Sequence, residues 1–258
     1  CLASMDHSYL CNQVYEYNLR KEKDKHSTWA MPTATSIEKL ALKKMEDWKA
    51  DIWVMSPPCQ PHTRQHSNQE ADLEDPRSKS FLHLCDLIEK MMDSALPQLI
   101  LLENVVGFEE SNSYKQFRLA LAKRNYWAGH FHLSPTQVGL PNDRPRHFCV
   151  AVRLQESEID NEQPLIKYVQ VEKEDKIEST NCKIQTSLTE LGVTDETCTK
   201  DLNDIPCISE FLHANENANL QLKIPDKILS SNSCWCFDIV APKDHRSSCF
   251  TQSYGRYV

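Results

Sequence analysis

Two short apolar runs organise the first half of the chain. Ala50 to Ser56 (ADIWVMS) is rich in β-branched and aromatic residues and stops abruptly at Pro57 and Pro58, which predicts a buried strand. Gln98 to Glu103 (QLILLE) follows Pro97 and predicts a second strand, with Glu103 and Asn104 delivered at its end. Between them, Leu84, Leu87, Ile88, Met91 and Met92 recur at near-helical spacing over Phe81 to Met92. Similar stripes predict helices over Ile37 to Trp48 and Tyr114 to Lys123, and HFCVAVRL at His147 to Leu154 alternates as a further strand. Strands alternating with helices imply βαβ units, a largely parallel sheet and an α/β fold. Ligands of such sheets collect at the strand ends.

After Leu154 the pattern fails. Residues 155 to 180 carry eight carboxylates, from Glu156 to Glu178, against Lys167, Lys173 and Lys176, and polar residues continue to about Asp204. This composition predicts a linker or disordered insert over 155–204. Apolar residues return from Ile205, including Phe211, Leu222, Trp235 and Phe237, so 205–258 reads as a smaller module behind a domain spanning 1–154.

The 258 residues suffice for a substantial core. No apolar run approaches the roughly 20 residues that cross a bilayer, so no membrane association is expected. Eleven scattered cysteines, an odd number, do not make a disulfide framework, and a reducing intracellular compartment is expected. A net charge of -8 disfavours indiscriminate binding to phosphate backbones, leaving a nucleic-acid partner dependent on a local basic surface. Arg20 to Lys25 reads as a solvated loop. Cys234-Trp235-Cys236, His83-Leu84-Cys85 and His130-Phe131-His132 lack two separated ligand pairs, so no structural metal is expected.

Two prolines before Cys59 stiffen its turn, and the preceding strand fixes where the thiol points, which suits a positioned nucleophile; a small turn residue is the competing reading. Arg144 and Arg146, two apart in QVGLPNDRPR, face one side of an extended segment or are solvated loop charges.

Together SPPCQP at Ser56 to Pro61, ENV at Glu103 to Val105 and QVGLPNDRPR at Gln137 to Arg146 resemble the cytosine-C5 methyltransferases. SFLH at Ser80 to His83, LLENV at Leu101 to Val105, and Cys249-Phe250-Thr251 followed by Tyr254-Gly255 are similar to the branch that modifies tRNA-aspartate. The resemblance implies a Rossmann-like core using S-adenosylmethionine, with a partial target-recognition module over 205–258. Cys59 would be the nucleophile, and Glu103, with a proton held by partial burial, would stabilise the base at N3, a helix-capping glutamate being the alternative. Arg146 and Arg144 would hold the base oxygen and neighbouring backbone. Asp6 would accept from ribose hydroxyls, with a surface-turn aspartate as the competing reading; Ile37, Glu38 and Ser56 would complete the cofactor site, with core packing the rival for Ile37. Cys249, Phe250 and Thr251 would face RNA.

The family's Gly-rich loop and Gly-Asn segment are expected before Cys1 and after Val258, so the chain reads as truncated at both ends and is expected to bind cofactor weakly or not at all. The implied partner is tRNA, specifically tRNA-Asp, with weak DNA binding, in the cytoplasm and also the nucleus; oligomeric state is left open. A DNA cytosine-C5 methyltransferase and a non-catalytic RNA-binding isoform are the alternatives.

Overall fold

A computed structural model describes residues 1–21, 30–58, 73, 75–76, 78–154, 184–185, 205–212, 226–230 and 239–248. The fold is mixed α/β. Strand β1 (Ile52–Met55) lies parallel to β2 (Leu99–Val105), with Met55 beside Leu102. The five-stranded sheet runs β1, β2, β5 (Arg146–Arg153), β3 (Tyr126–Leu133) and β6 (Ile184–Gln185). Its helices are α1 (Tyr9–Lys21), α2 (Leu42–Trp48), α3 (Lys79–Lys90) and α4 (Asn112–Lys123).

Burial alternates along β2: Ile100, Leu102 and Asn104 are buried, while Leu101, Glu103 and Val105 are half-buried on the other face. Ile100 and Leu102 belong to one core cluster with Phe81, Leu84 and Ile88 of α3 and Phe117, Ala120 and Leu121 of α4. Leu84, Leu87 and Ile88 of the one predicted stripe and Phe117, Ala120 and Leu121 of the other are therefore buried faces, while Met92, counted in the first stripe, lies beyond α3 and is 58 % exposed. Rings lock the cluster: Phe81 lies 5.5 Å from Phe108 and 5.3 Å from Phe117, and Phe108 lies 5.4 Å from Tyr114. Each such side chain contributes about 1.5–3 kcal/mol by leaving water. Ser111 caps α4 by accepting the Tyr114 N–H at 3.1 Å.

The helix expected over Ile37 to Trp48 is instead a 3-10 turn, Ile37–Lys39, and the separate α2. Leu40 between them is extended and 4 % exposed, and its carbonyl accepts from His83 Nε2 at 2.9 Å. Burial of Leu40 with a carbonyl partner on α3 thus competes successfully with helix continuation. Helix α1 and strand β3 have no counterpart among the sequence-predicted elements.

By contacts the chain forms two compact units. One comprises Cys1–His130 and His147–Ile184; the other comprises Phe131–Arg146 and Gln185–Val258. In the second, β4 (Asn142–Asp143) pairs in parallel with β7 (Ser247–Ser248), with Asn142 beside Ser247. No helix among the described residues is long and apolar enough to cross a membrane.

Candidate active site

In the first unit the site residues sit at strand ends. Parallel pairing of Met55 with Leu102 makes Ser56 and Glu103 the next residues of adjacent strands. Glu103 is half-buried and projects from the face opposite the Ile100 and Leu102 side chains. Its neighbour Asn104, 3 % exposed, donates from Nδ2 to the Pro57 carbonyl at 3.1 Å, while its own Oδ1 accepts the Val105 N–H at 2.8 Å. Both ends of that buried amide are used, so the Ser56-Pro57-Pro58 turn is tied to the end of β2. The chain then reaches Cys59, which lies outside the described residues.

Past β2 the chain turns at Gly107, whose φ of +99° favours glycine, and Glu109 accepts the Gly107 N–H at 2.9 Å. Asn104 is a positioning residue that the sequence reading left out of the site. Its place beside Glu103 in ENV was the available signal; the bond to Pro57, 47 residues away, was not.

Of the cofactor candidates, Asp6 follows a short extended pairing. Met5 bridges Thr33 in parallel, and the Asp6 N–H donates to the Thr33 carbonyl at 3.3 Å. Asp6 is exposed, and its Oδ1 accepts the Ser8 N–H at 2.7 Å. Asn12 donates to the Asp6 carbonyl at 2.9 Å, fixing the entry to α1. An exposed carboxylate held at the end of an extended segment fits ribose hydroxyls. Ile37 is half-buried against the hydrophobic cluster. Glu38 is exposed and accepts from the Ser80 hydroxyl at 3.0 Å, and Ser56 is exposed.

The second unit carries the arginines. A 3-10 turn, Pro135–Val138, starts from Ser134, whose N–H donates to Gln137 Oε1 at 2.6 Å, and ends at Gly139, with φ +78°. Ser134 then spans the loop: its hydroxyl donates to Asp143 at 3.3 Å and accepts the Arg144 N–H at 3.0 Å. Asp143 also pairs with Arg246, immediately before β7. Arg144 and Arg146 are half-buried, and Arg146 Nη1 donates to the Pro145 carbonyl at 2.8 Å. Ser134, Asp143 and Arg246 are supports absent from the sequence-predicted site. Cys249, which follows β7 directly, and Phe250 and Thr251 lie outside the described residues.

The Ser56 turn, the Glu103 strand end and the Arg144 loop contain the three sequence motifs, and comparison with known proteins agrees in family. The C-5 cytosine-specific DNA methylase family matches residues 1–232. A human protein named tRNA (cytosine(38)-C(5))-methyltransferase is 31% identical, the match covering 100% of this chain and 70% of that protein. A DNA (cytosine-5)-methyltransferase of Dictyostelium discoideum is 32% identical, covering 100% and 67%. Among solved structures, a methyltransferase of Entamoeba histolytica superposes with a TM-score of 0.69 at 27% identity, covering 98% of this chain and 63% of that one. The chain therefore spans somewhat under two thirds of the length of that structure. With the fold, the motifs and the family match in agreement, this chain belongs to the C-5 cytosine-specific DNA methylase family.

Proposed function

We propose that the protein transfers a methyl group from S-adenosylmethionine to C5 of a cytosine in tRNA, in the anticodon loop of tRNA-Asp, through a covalent Cys59 adduct. The observation that carries this reading is the bond from Asn104 to the Pro57 carbonyl at 3.1 Å. It holds the turn leading to Cys59 against the strand end bearing Glu103. A thiol nucleophile and a carboxyl group serving one planar ring need such a shared support.

Cytosine C5 is a weak nucleophile, and covalent addition at C6 removes that difficulty. The Cys59 sulfur forms a bond to C6, and the electron pair displaced from the C5–C6 double bond makes C5 reactive. Bound S-adenosylmethionine supplies the electrophilic methyl group. Transfer of the C5 proton to solvent water then returns the C–H electron pair to the C5–C6 double bond, and the C6–S bond breaks to release Cys59 as thiolate. Glu103 donates a hydrogen bond or a proton at N3 while negative charge accumulates there. Arg146 holds the base oxygen and Arg144 the adjoining backbone. Asp6, beside Thr33, would hold the ribose of the cofactor, with Ile37 and Glu38 a few residues after Thr33 and Ser56 at the end of β1 completing the site. An unpaired loop cytosine reaches this chemistry at less cost than a base in a duplex. Residues 205–258, ending beyond Cys249-Phe250-Thr251, would serve target recognition.

The human relative's name supports the tRNA reading, and the Dictyostelium relative's name supports DNA as the second reading. Methyl transfer to a tRNA-Asp transcript and to duplex DNA, measured side by side, separates them. The expected result is transfer to tRNA far above that to DNA, abolished by Cys59→Ala with the fold intact. Equal rates overturn the tRNA reading; near-normal turnover by Cys59→Ala overturns the nucleophile; tRNA binding without transfer supports a non-catalytic RNA-binding protein.

A further inference from the structure

SFLH at Ser80 to His83 has no part in the methyl-transfer steps, yet its two polar residues, both half-buried, reach the segment that carries Ile37 and Glu38. The Ser80 hydroxyl donates to Glu38 Oε1 at 3.0 Å, and His83 Nε2 lies 2.9 Å from the Leu40 carbonyl oxygen. A carbonyl only accepts, so Nε2 carries the ring hydrogen and donates it. Ser80 and His83 are three apart on one face of α3, and their partners are two apart, so the bonds form a double grip on one short stretch of chain.

That stretch does not hold itself. Ile37–Lys39 is a single 3-10 turn, its N-cap Ser36 contributes no side-chain hydrogen bond, and Leu40 after it is extended with φ −69° and ψ 121°. So short a turn gains too few bonds to offset the ordering of its backbone. Its order comes from packing: Ile37 lies against the hydrophobic cluster and Leu40 is buried, while Phe81, Leu84 and Ile88 fix helix α3 in the same core. Without the His83 donor the Leu40 carbonyl would need another partner, and joining the turn to α2 as one helix would supply it. A half-buried aliphatic side chain beside an exposed carboxylate suits an aromatic base bearing an amino group, with Ile37 as the apolar contact and Glu38 as the acceptor. By engaging one carboxylate oxygen, Ser80 sets the direction of the other.

We propose that Ser80 and His83 are positioning residues of the cofactor site, holding Ile37 and Glu38 to receive the adenine of S-adenosylmethionine. The inference rests on the methyltransferase reading above and adds the residues that shape its cofactor site. Both act through another group, Ser80 through the Glu38 carboxylate and His83 through the Leu40 backbone.

The experiment titrates S-adenosylhomocysteine into the whole chain and reads the dissociation constant by ligand-observed NMR, which reaches millimolar affinities. Ser80→Ala and His83→Phe should each weaken binding about tenfold with an unchanged cooperative melting transition, the loss expected for one hydrogen bond that orients a binding segment. His83→Gln places an amide N–H where Nε2–H stood, and Ser80→Thr keeps the hydroxyl, so both should recover most of the affinity. Asp6→Ala separates this proposal from the reading it rests on. If Asp6→Ala weakens binding while folded Ser80→Ala and His83→Phe bind as the unaltered chain does, the cofactor site stands and the grip is overturned. No binding by the unaltered chain, or binding indifferent to all three substitutions, overturns the cofactor site and the grip with it. Should His83→Phe fail to fold, Ser80→Ala, which deletes one hydroxyl, decides alone; a loss there that Ser80→Thr does not rescue overturns the proposal as well.

Discussion

The end of β2 and the Ser134 to Arg146 loop position chemistry by different means. At β2, Ile100 and Leu102 are 0 % exposed, the backbone is paired with β1, and the buried Asn104 extends that order to Pro57. In the loop, Val138 and Leu140 are 54 % and 45 % exposed, and Arg144 is placed by the Ser134 hydroxyl and its links to Asp143. The first region inherits its geometry from the core; the second builds its geometry from polar bonds with which water competes. Damage to the first should therefore reach folding as well as catalysis, whereas damage to the second should stay local.

The largest effect tests the core side of the contrast. Phe117 is 1 % exposed and packs against Phe81 and Tyr114, with centroids at 5.3 and 6.0 Å. Phe117→Ala should lower unfolding free energy by about 3–5 kcal/mol, read from denaturant melts. A loss below about 1 kcal/mol would mean that this cluster does not set the stability of the β2 region.

Asn104→Ala comes next and joins the two properties. Removing the buried Asn104 amide, and with it the donor to the half-buried Pro57 carbonyl, should cost about 1–3 kcal/mol. Displacing the turn before Cys59 should lower kcat for tRNA about 100-fold with KM little changed. Asn104→Asp, which preserves shape but cannot donate when ionised, should show the same kcat loss. Wild-type kcat in either folded variant would show that the turn is held by other means.

What could be read from sequence follows the same division. The run at Leu99–Val105 and the stripes of α3 and α4 were legible because burial imposes a short, repeated pattern. Ile52–Met55, expected as a buried strand, is a strand with Ile52 and Val54 58 % and 74 % exposed, legible from its β-branched and aromatic residues alone. Helix α1 was not, since Asn12 is its buried residue while Tyr9, Leu10, Val14 and Tyr17 are exposed, leaving no apolar stripe. Strand β3 was missed because the burial of YWAGHFHL does not alternate regularly. The break at Leu40 depends on His83 of α3, a partner 43 residues away. Motif residues Glu103, Arg144 and Arg146 announced themselves by type and spacing. Their supports, Asn104 on Pro57, Ser134 on Arg144 and Arg246 on Asp143, are distant or chemically ordinary pairs that a local pattern does not encode.

The smallest effect sharpens the loop side. Ser134→Ala removes the hydroxyl that accepts from Arg144 N–H and donates to Asp143, and nothing else in that side chain is lost. Because the loop is half-buried, water can replace part of both bonds, so stability should fall by only about 1 kcal/mol, below the Asn104→Ala loss. The peptide carrying Arg144 and Arg146 would nevertheless lose a fixed point, and tRNA methylation should decline about tenfold while the melting transition stays cooperative. Ser134→Thr, which retains the hydroxyl, should recover most of that rate. A Ser134→Ala variant destabilised as strongly as Phe117→Ala would break the contrast by showing that the loop is part of the folding core; unchanged methylation would show that its polar bonds do not position the arginines.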